Sequence, residues 1–153
     1  MSYSFGKRSQ ERLDTCHPDI QAIMNEVIKI YDVSVLEGLR TLEKQQEYFE
    51  TGRSKLDGIH QKSKHQGIEL NGELVSMAID IMPYKKGTNA FSGKEEDNRR
   101  FYFMMGIVYA VAEKLLAEGK ISHRVRFGLD WDGDHVYNDQ NFNDLPHFEL
   151  IKP

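Results

Sequence analysis

Three residues of metal-binding type lie far apart in the chain, in settings that could bring them together. Asp80 sits in Met77-Ala78-Ile79-Asp80-Ile81-Met82, an apolar run ended by Pro83. A strand this apolar does not hold an ionised carboxylate alone, because an unpaired buried charge costs several kcal/mol or shifts its pKa until it is neutral. A lone strand aspartate most often meets a lysine or arginine. Two histidines offer another partner. His65 closes the polar segment Ser63-Lys64-His65, and His147 opens the apolar run His147-Phe148-Glu149-Leu150. Each alone reads as structural or solvated. Together with Asp80 they supply two neutral imidazoles and one carboxylate, the ligand set of a catalytic zinc that keeps its fourth position for water. Such a site lowers the pKa of bound water towards ~7 and polarises a carbonyl, and hydrolysis then needs a base for the water proton. Asp144, three residues before His147 and stiffened through Pro146, has that chemistry. A turn aspartate beside a proline is an equally ordinary reading of it.

A second carboxylate pattern occupies Asp130-Trp131-Asp132-Gly133-Asp134, where acids alternate as at the start of a calcium loop. The glycine of the sixth loop position and the glutamate of the twelfth are missing. A solvated turn is therefore the plainer reading, with Ca2+ at Asp130, Asp132 and Asp134 as the alternative. His17, His60, His123 and His135 stand at a helix start or in polar loops with no ligand pattern near them.

Few elements are available to position these residues. Behind His17-Pro18-Asp19, the spacing of Ile20, Ile23, Val27, Ile28 and Tyr31 predicts an amphipathic helix over 18–31. Val33 to Glu37 is β-prone, Gly38 follows, and Thr41 opens a polar helix to about Thr51, with Arg40 at the junction. Residues 52–76 hold no sustained period and read as a long functional loop, before the buried strand that carries Asp80. Glu95 to Glu118 predicts a long helix with acids at its start and Gly119 as its stop, packing through Phe101, Phe103, Met104, Met105 and Val108. Arg124 to Pro153 holds two short strands around an acidic loop. The expected fold is α+β: one small domain, 1–153, whose short antiparallel sheet carries the zinc site and whose helices pack on one face.

Composition removes several function classes. A length of 153 residues suits one domain and one core. The 20 Lys plus Arg against 24 Asp plus Glu leave a net charge of -4, which speaks against a grip on a phosphate backbone, so nucleic acid is not an expected partner. Cys16 is the sole cysteine; it excludes an internal disulfide and a cysteine zinc cluster, and fits a reducing compartment. The N-terminal residues lack the apolar stretch of about 7–15 residues that a secretory signal needs. The greasy run from Phe101 to Ala112 falls short of the ~20 residues that span a bilayer. A monomer without membrane insertion, made in the cytoplasm, is expected.

Five ordered motifs carry a family resemblance. They are Glu37-Gly38-Leu39-Arg40-Thr41 with Gln45; Gly52-Arg53-Ser54-Lys55; Ser63-Lys64-His65 leading to Ala78-Ile79-Asp80 and Pro83; Arg126-Phe127-Gly128-Leu129-Asp130-Trp131; and Asp144-Leu145-Pro146-His147-Phe148-Glu149-Leu150. This set resembles the zinc peptidases related to D-alanyl-D-alanine carboxypeptidases, and within them the phage endolysins that cut the L-alanyl-D-glutamate bond of peptidoglycan. Phe5-Gly6-Lys7 with Ser9, and the helix after His17-Pro18, extend the likeness over nearly the whole chain.

The resemblance implies one Zn2+ held by His65, Asp80 and His147, with Asp144 as general base. It implies Arg40 steadying substrate or the developing oxyanion, Ser63 hydrogen-bonding substrate, and Trp131 walling the cleft. A guanidinium fork suits the role of Arg40, since it binds a carboxylate or a charged tetrahedral intermediate and never deprotonates. A structural pair with Asp or Glu competes with that role. The family spaces its first histidine and aspartate more closely and has a glycine before Ala-x-Asp; here residues 66–79 intervene and Ser76 stands at the glycine position. An insertion in a surface loop costs little, so the ligands can still meet at a cleft with an altered rim. The implied activity is host-wall lysis through peptidoglycan stem peptides, without a separate wall-binding domain. The enzyme would be made in the host cytoplasm and reach the wall once another protein has permeabilised the membrane. Rival readings are a D-alanyl-D-alanine carboxypeptidase and a non-enzymatic zinc-containing wall-binding or structural phage module.

Overall fold

Strand β4 (Ala78–Pro83) runs through the centre of the fold, and its alternation decides which way the site faces. Ile79 and Ile81 are fully buried, while Asp80 between them points to the opposite surface. The computed structural model, which describes residues 2–153, pairs β4 with β1 (Val33–Glu37) on one side and β6 (His147–Ile151) on the other. β5 (Arg124–Phe127) closes an antiparallel sheet of order β1-β4-β6-β5. The register sets Asp80 opposite His147 and also opposite Glu37, and Arg126 opposite Glu149. Opposed residues share a face, so one surface of the sheet carries Glu37, Asp80, His147, Glu149 and Arg126. An irregularity between Val35 and Glu37 brings Glu37 into that row.

The other surface is the core. Val35, Ile79, Ile81, Phe148 and Leu150 of the sheet meet Ile20, Ile23, Met24 and Val27 of α2 (Pro18–Val27) and Phe101, Met104, Met105 and Val108 of α4 (Glu95–Ala117). Helix α2 opens on Pro18, with His17 Nδ1 accepting the Asp19 amide at 3.0 Å. Helix α4 sets Glu95, Glu96 and Asp97 against its positive end. It stops at Gly119 (φ 70°), where the Gly119 and Lys120 amides donate to the Leu116 and Leu115 carbonyls at 3.0 and 2.9 Å, a Schellman closure.

The structure differs from the sequence expectation in four places. Helix α2 ends at Val27, and the chain turns through Ile28–Tyr31 instead of continuing the helix. Phe103 is 64% exposed; it lies outside the core, against Tyr31 at a centroid distance of 5.5 Å. A short helix α1 (Lys7–Leu13) precedes α2, and a polar helix α3 (Leu42–Glu50) follows β1 as expected. Residues 52–76 are not bare loop: a 3-10 turn covers Lys64–Gln66, and a hairpin joins β2 (Ile68–Leu70) to β3 (Glu73–Val75). Its Asn71-Gly72 corner has φ of 52° and 84°, the left-handed pair of a type I′ turn.

That hairpin fills the additional chain between His65 and Asp80, and it closes on itself. The Met77 amide donates to the Lys64 carbonyl at 3.1 Å, which ties the two ends of the excursion together, and the Ser76 amide donates to the Thr15 carbonyl at 2.9 Å, which fixes the second end to the turn after α1. His65 and Asp80 keep their places although fourteen residues separate them. No helix among the described residues is long and apolar enough to cross a membrane.

Candidate active site

His65 arrives on the capped 3-10 turn. Ser63 Oγ accepts the His65 amide at 3.2 Å, and the Ser63 amide donates to Gln66 Oε1 at 2.8 Å, a reciprocal capping box. His65 Nδ1 lies 2.8 Å from the Gly38 carbonyl oxygen. A carbonyl only accepts, so Nδ1 carries the proton and Nε2 presents a bare lone pair. Gly38 has no substitute there, since a Cβ would stand 2.4 Å from the Arg12 carbonyl oxygen. His147 is oriented in the opposite sense: its Nε2 lies 3.0 Å from Glu149 Oε1, which leaves Nδ1 bare.

The bare nitrogens and Asp80 converge. His65 Nε2 and His147 Nδ1 are 3.3 Å apart, and Asp80 Oδ1 lies 3.3 Å from the first and 3.2 Å from the second. Three lone pairs at this range repel one another unless a proton or a cation lies among them. A proton among them shows the pull: burial pushes the Asp80 carboxyl up, but hydrogen bonds from the His147 and His65 rings, when these carry a proton on the facing nitrogen, outweigh it and hold the group well below the carboxylate range. Burial lowers the His147 ring, whereas its contacts with Asp80 and Glu149 lift it to about 9. The pocket thus draws positive charge, and its donor set fits a divalent ion of zinc type.

Asp144 stands beside this group, its Oδ2 3.9 Å from His147 Nδ1. Its backbone is fixed by the Gly128 carbonyl, which accepts its amide at 2.9 Å, and by the His147 amide, which donates to its carbonyl at 3.1 Å. A Cβ at Gly128 would come within 2.3 Å of that carbonyl oxygen, so only glycine permits the approach. Burial and the charge of Asp80 push the Asp144 carboxyl above its ordinary value, against the opposing pull of His147, His65 and Arg40.

Arg40 is half-buried and held in a frame of its own. It pairs with Glu37, donates from a terminal nitrogen to Gln45 Oε1 at 2.7 Å, and lies 4.7 Å from the centre of the Tyr48 ring. Gln45 is fully buried and passes the restraint on, donating to Ser54 Oγ at 3.0 Å and to the Leu56 carbonyl at 2.6 Å. Of the two roles the sequence left open for Arg40, the structural pair is present, and the residue also lines the cleft. A cleft of about 760 Å³ runs over the His–Asp–His group, with Arg40, Arg53, Lys55 and Lys62 around it and Trp131 and Phe142 among its walls. Trp131 stacks on Phe142 at 6.4 Å and lies 5.4 Å from the His147 ring.

Residues 1–151 match the phage L-alanyl-D-glutamate peptidase family. The chain belongs to that family. The peptidase is similar to the L-alanyl-D-glutamate peptidase of Escherichia phage T5, with 30% identity over 157 aligned positions that cover 99% of this chain and 100% of the phage T5 protein. Its fold is similar to that of the Serratia marcescens L-Ala D-Glu endopeptidase ChiX. The two superimpose with a TM-score of 0.64 at 22% identity, over 97% of this chain and 90% of that one.

Two further side-chain groups come together in the peptidase. Asp130, Asp132 and Asp134 cluster as the alternation suggests, but both Asp130 oxygens already accept loop amides, from Gly133 and His135 at 3.1 Å each. His17, Asp19 and His123 also meet, although no local pattern links them. Asp19 Oδ2 lies 2.8 Å from His123 Nδ1 and accepts the Ser122 amide at 2.9 Å, while His17 Nδ1 is spent on capping α2. This group clasps the start of α2 to the chain entering β5.

Glu149 is the residue that sequence reasoning passed over. The alternation of His147-Phe148-Glu149 puts it on the face of His147, where it bonds that ring and pairs with Arg126 at 3.0 Å. Carboxylates behind a ligating histidine fix its tautomer and raise its basicity, and their loss typically weakens metal binding about 10–100-fold. Glu149→Gln should show that loss in a zinc competition titration, with the circular dichroism spectrum unchanged. Undiminished affinity would make Glu149 a partner of Arg126 only.

Proposed function

We propose that the peptidase is a phage endolysin that hydrolyses the L-alanyl-D-glutamate bond of peptidoglycan stem peptides, using one Zn2+ held by His65, Asp80 and His147. The observation that carries this reading is the convergence of His65 Nε2, His147 Nδ1 and Asp80 Oδ1 within about a hydrogen bond of one another, with Asp144 beside them. When bound, zinc lowers the pKa of a water towards ~7 and polarises the scissile carbonyl. The chain's own residues supply the remaining steps.

Asp144 accepts the proton of the attacking water on its carboxylate and returns it to the departing D-glutamate nitrogen. Its raised pKa suits both halves of that transfer, because a base that must later act as an acid works best with a pKa nearer the working pH. Arg40, already oriented by Glu37 and Gln45, faces the charge that develops on the carbonyl oxygen or on a substrate carboxylate without reorganising. Arg53, Lys55 and Lys62 complement the carboxylates of the stem peptide. Trp131 walls the cleft, and Ser63 positions His65 through its cap and offers its hydroxyl edge to substrate. Ca2+ at Asp130, Asp132 and Asp134 would brace the loop that carries Trp131. The enzyme acts as a monomer on the wall once another protein has opened the membrane.

The acid side of the pH profile follows from Asp144. A base must be ionised to act, so kcat/KM falls as pH drops through its pKa. Burial and Asp80 raise that pKa in the metal-free chain; a bound divalent ion neutralises the share of Asp80, so the acid limb of the loaded enzyme should lie above the ordinary aspartate value of about 3.9 by what burial adds. A pH–rate profile taken with metal content checked at each point measures this; full activity with bound metal down to an unshifted limb would contradict it.

Digestion of purified sacculi with mass analysis of the soluble products tests the bond assignment. Stem peptides with a new N-terminal D-glutamate are expected. Free D-alanine would make the protein a carboxypeptidase, and no product at any zinc load would leave a metal-holding wall-binding module.

A further inference from the structure

A second cavity, of about 530 Å³, opens beside the cleft between α4, β5 and the loop after it. It shares Arg126 and Trp131 with the cleft. The Trp131 ring lies 5.4 Å from the His147 ring and 5.8 Å from Arg126 Cζ, so one wall separates the cavity from the His–Asp–His group. Tyr102, Tyr109 and Tyr137 line it. Tyr109 and Tyr137 are 40% and 45% exposed, and edge-to-face contacts of 5.5 Å with His135 and Tyr102 respectively hold their rings in place.

Gly106 also lines this cavity, in the interior of α4. A glycine at such a position destabilises a helix relative to alanine. A Cβ on Gly106 would meet nothing within 4 Å. No contact inside the protein therefore requires glycine, and what its missing side chain provides is room in the cavity.

We propose that this cavity is a glycan subsite, taking an N-acetylated amino-sugar ring of the polysaccharide strand that bears the stem peptide. The inference rests on the peptidase reading above. In peptidoglycan the scissile bond follows the first residue of the stem, and that residue is joined to the sugar through a lactyl group. The sugar ring thus lies about two residue lengths, ~7 Å, from the bond being cut. A substrate seated in the cleft brings the ring to the cleft's wall, and the second cavity is continuous with that wall through Arg126 and Trp131. A pyranose presents a face of C–H groups that packs on aromatic rings and an edge of hydroxyls and acetamide that needs hydrogen-bond partners. Tyrosines supply the ring and a hydroxyl together. Glu113 and Arg124, paired at 3.5 Å, add an acceptor and donors among the lining groups.

The test uses the zinc-loaded full chain and two substrates, the free stem peptide and the same peptide attached to its disaccharide. Unaltered protein should cleave the disaccharide-linked peptide with the higher kcat/KM. Gly106→Leu, which fills the cavity with a good helix former, should lose at least tenfold in kcat/KM on that substrate, through KM, and keep its rate on the free peptide. Gly106→Ala should raise Tm, confirming that the helix tolerates a side chain there; if Gly106→Leu does not fold, Tyr109→Ala takes its place with the same expected split. Equal kcat/KM on both substrates for the unaltered protein, or an equal loss on both for the variant, overturns the glycan subsite and leaves the peptidase reading intact. Cleavage of neither substrate by the unaltered protein overturns the peptidase reading, and the subsite with it.

Discussion

Asp144→Asn should lower kcat by about 10²–10⁴-fold, the usual worth of a positioned general acid–base group, while bound zinc and Tm change little. The amide fills the space of the carboxylate and leaves the backbone bonds to Gly128 and His147 in place. What disappears is a carboxylate beside the His147 Nδ1 edge that is not itself among the converging atoms, whereas Glu149, behind the same ring, is taken up by His147 Nε2 and Arg126. Because the substitution removes proton transfer and leaves the walls of the cleft untouched, KM should stay within a few-fold of its original value. Stopped assays on a stem peptide, with zinc measured on the same sample, check both halves. A loss under tenfold with full zinc would put the base elsewhere.

Asp80→Ala should be as damaging by a different route. Asp80 is the only carboxylate among the three converging groups, and without it two neutral imidazoles face each other with no negative charge to hold a divalent ion. A lost metal forfeits several kcal/mol of transition-state stabilisation, roughly 10³-fold or more in rate. The diagnostic feature is non-additivity: a chelator should abolish activity in the unaltered protein and do nothing further to Asp80→Ala. The two substitutions also separate cleanly, since Asp144→Asn keeps its zinc and Asp80→Ala does not. A variant at Asp80 that retained both metal and rate would remove this residue from the site.

The site was readable in the sequence to the extent that chemistry conflicts with environment there. Asp80 stands out because an ionisable group in an apolar strand must be answered, and His147 because it opens a second apolar run. Their meeting is a matter of register: β4 and β6 pair antiparallel so that two residues 67 positions apart become direct neighbours. No local pattern encodes that pairing. Glu149 was within reach, since strand alternation puts it on the face of His147, yet its partner ring had to be located first. The β2–β3 hairpin read only as part of a long loop, because its flanking strands are three residues each, too short to show a period on either side of the Asn71-Gly72 corner. Helix α1 gave no signal. Its order comes from tertiary bonds, Arg12 to the Val35 carbonyl at 2.9 Å and the Val35 amide to Ser9 Oγ at 3.0 Å, which a polar seven-residue segment does not reveal. A pair of Arg40 with an acid was an open alternative in the sequence, but the hold of Gln45 on it was hidden, because Gln45 reads as one polar residue of a polar helix until its burial is known.

The most direct test of the metal centre is a zinc titration of chelated protein in which occupancy and stem-peptide cleavage are followed together. Cleavage should be absent without metal and should rise in proportion to zinc, saturating at one catalytic ion per chain, with His65→Ala flat throughout. Full cleavage by the metal-free protein, or a His65→Ala variant that titrates like the unaltered chain, would contradict a catalytic ion held by His65, Asp80 and His147.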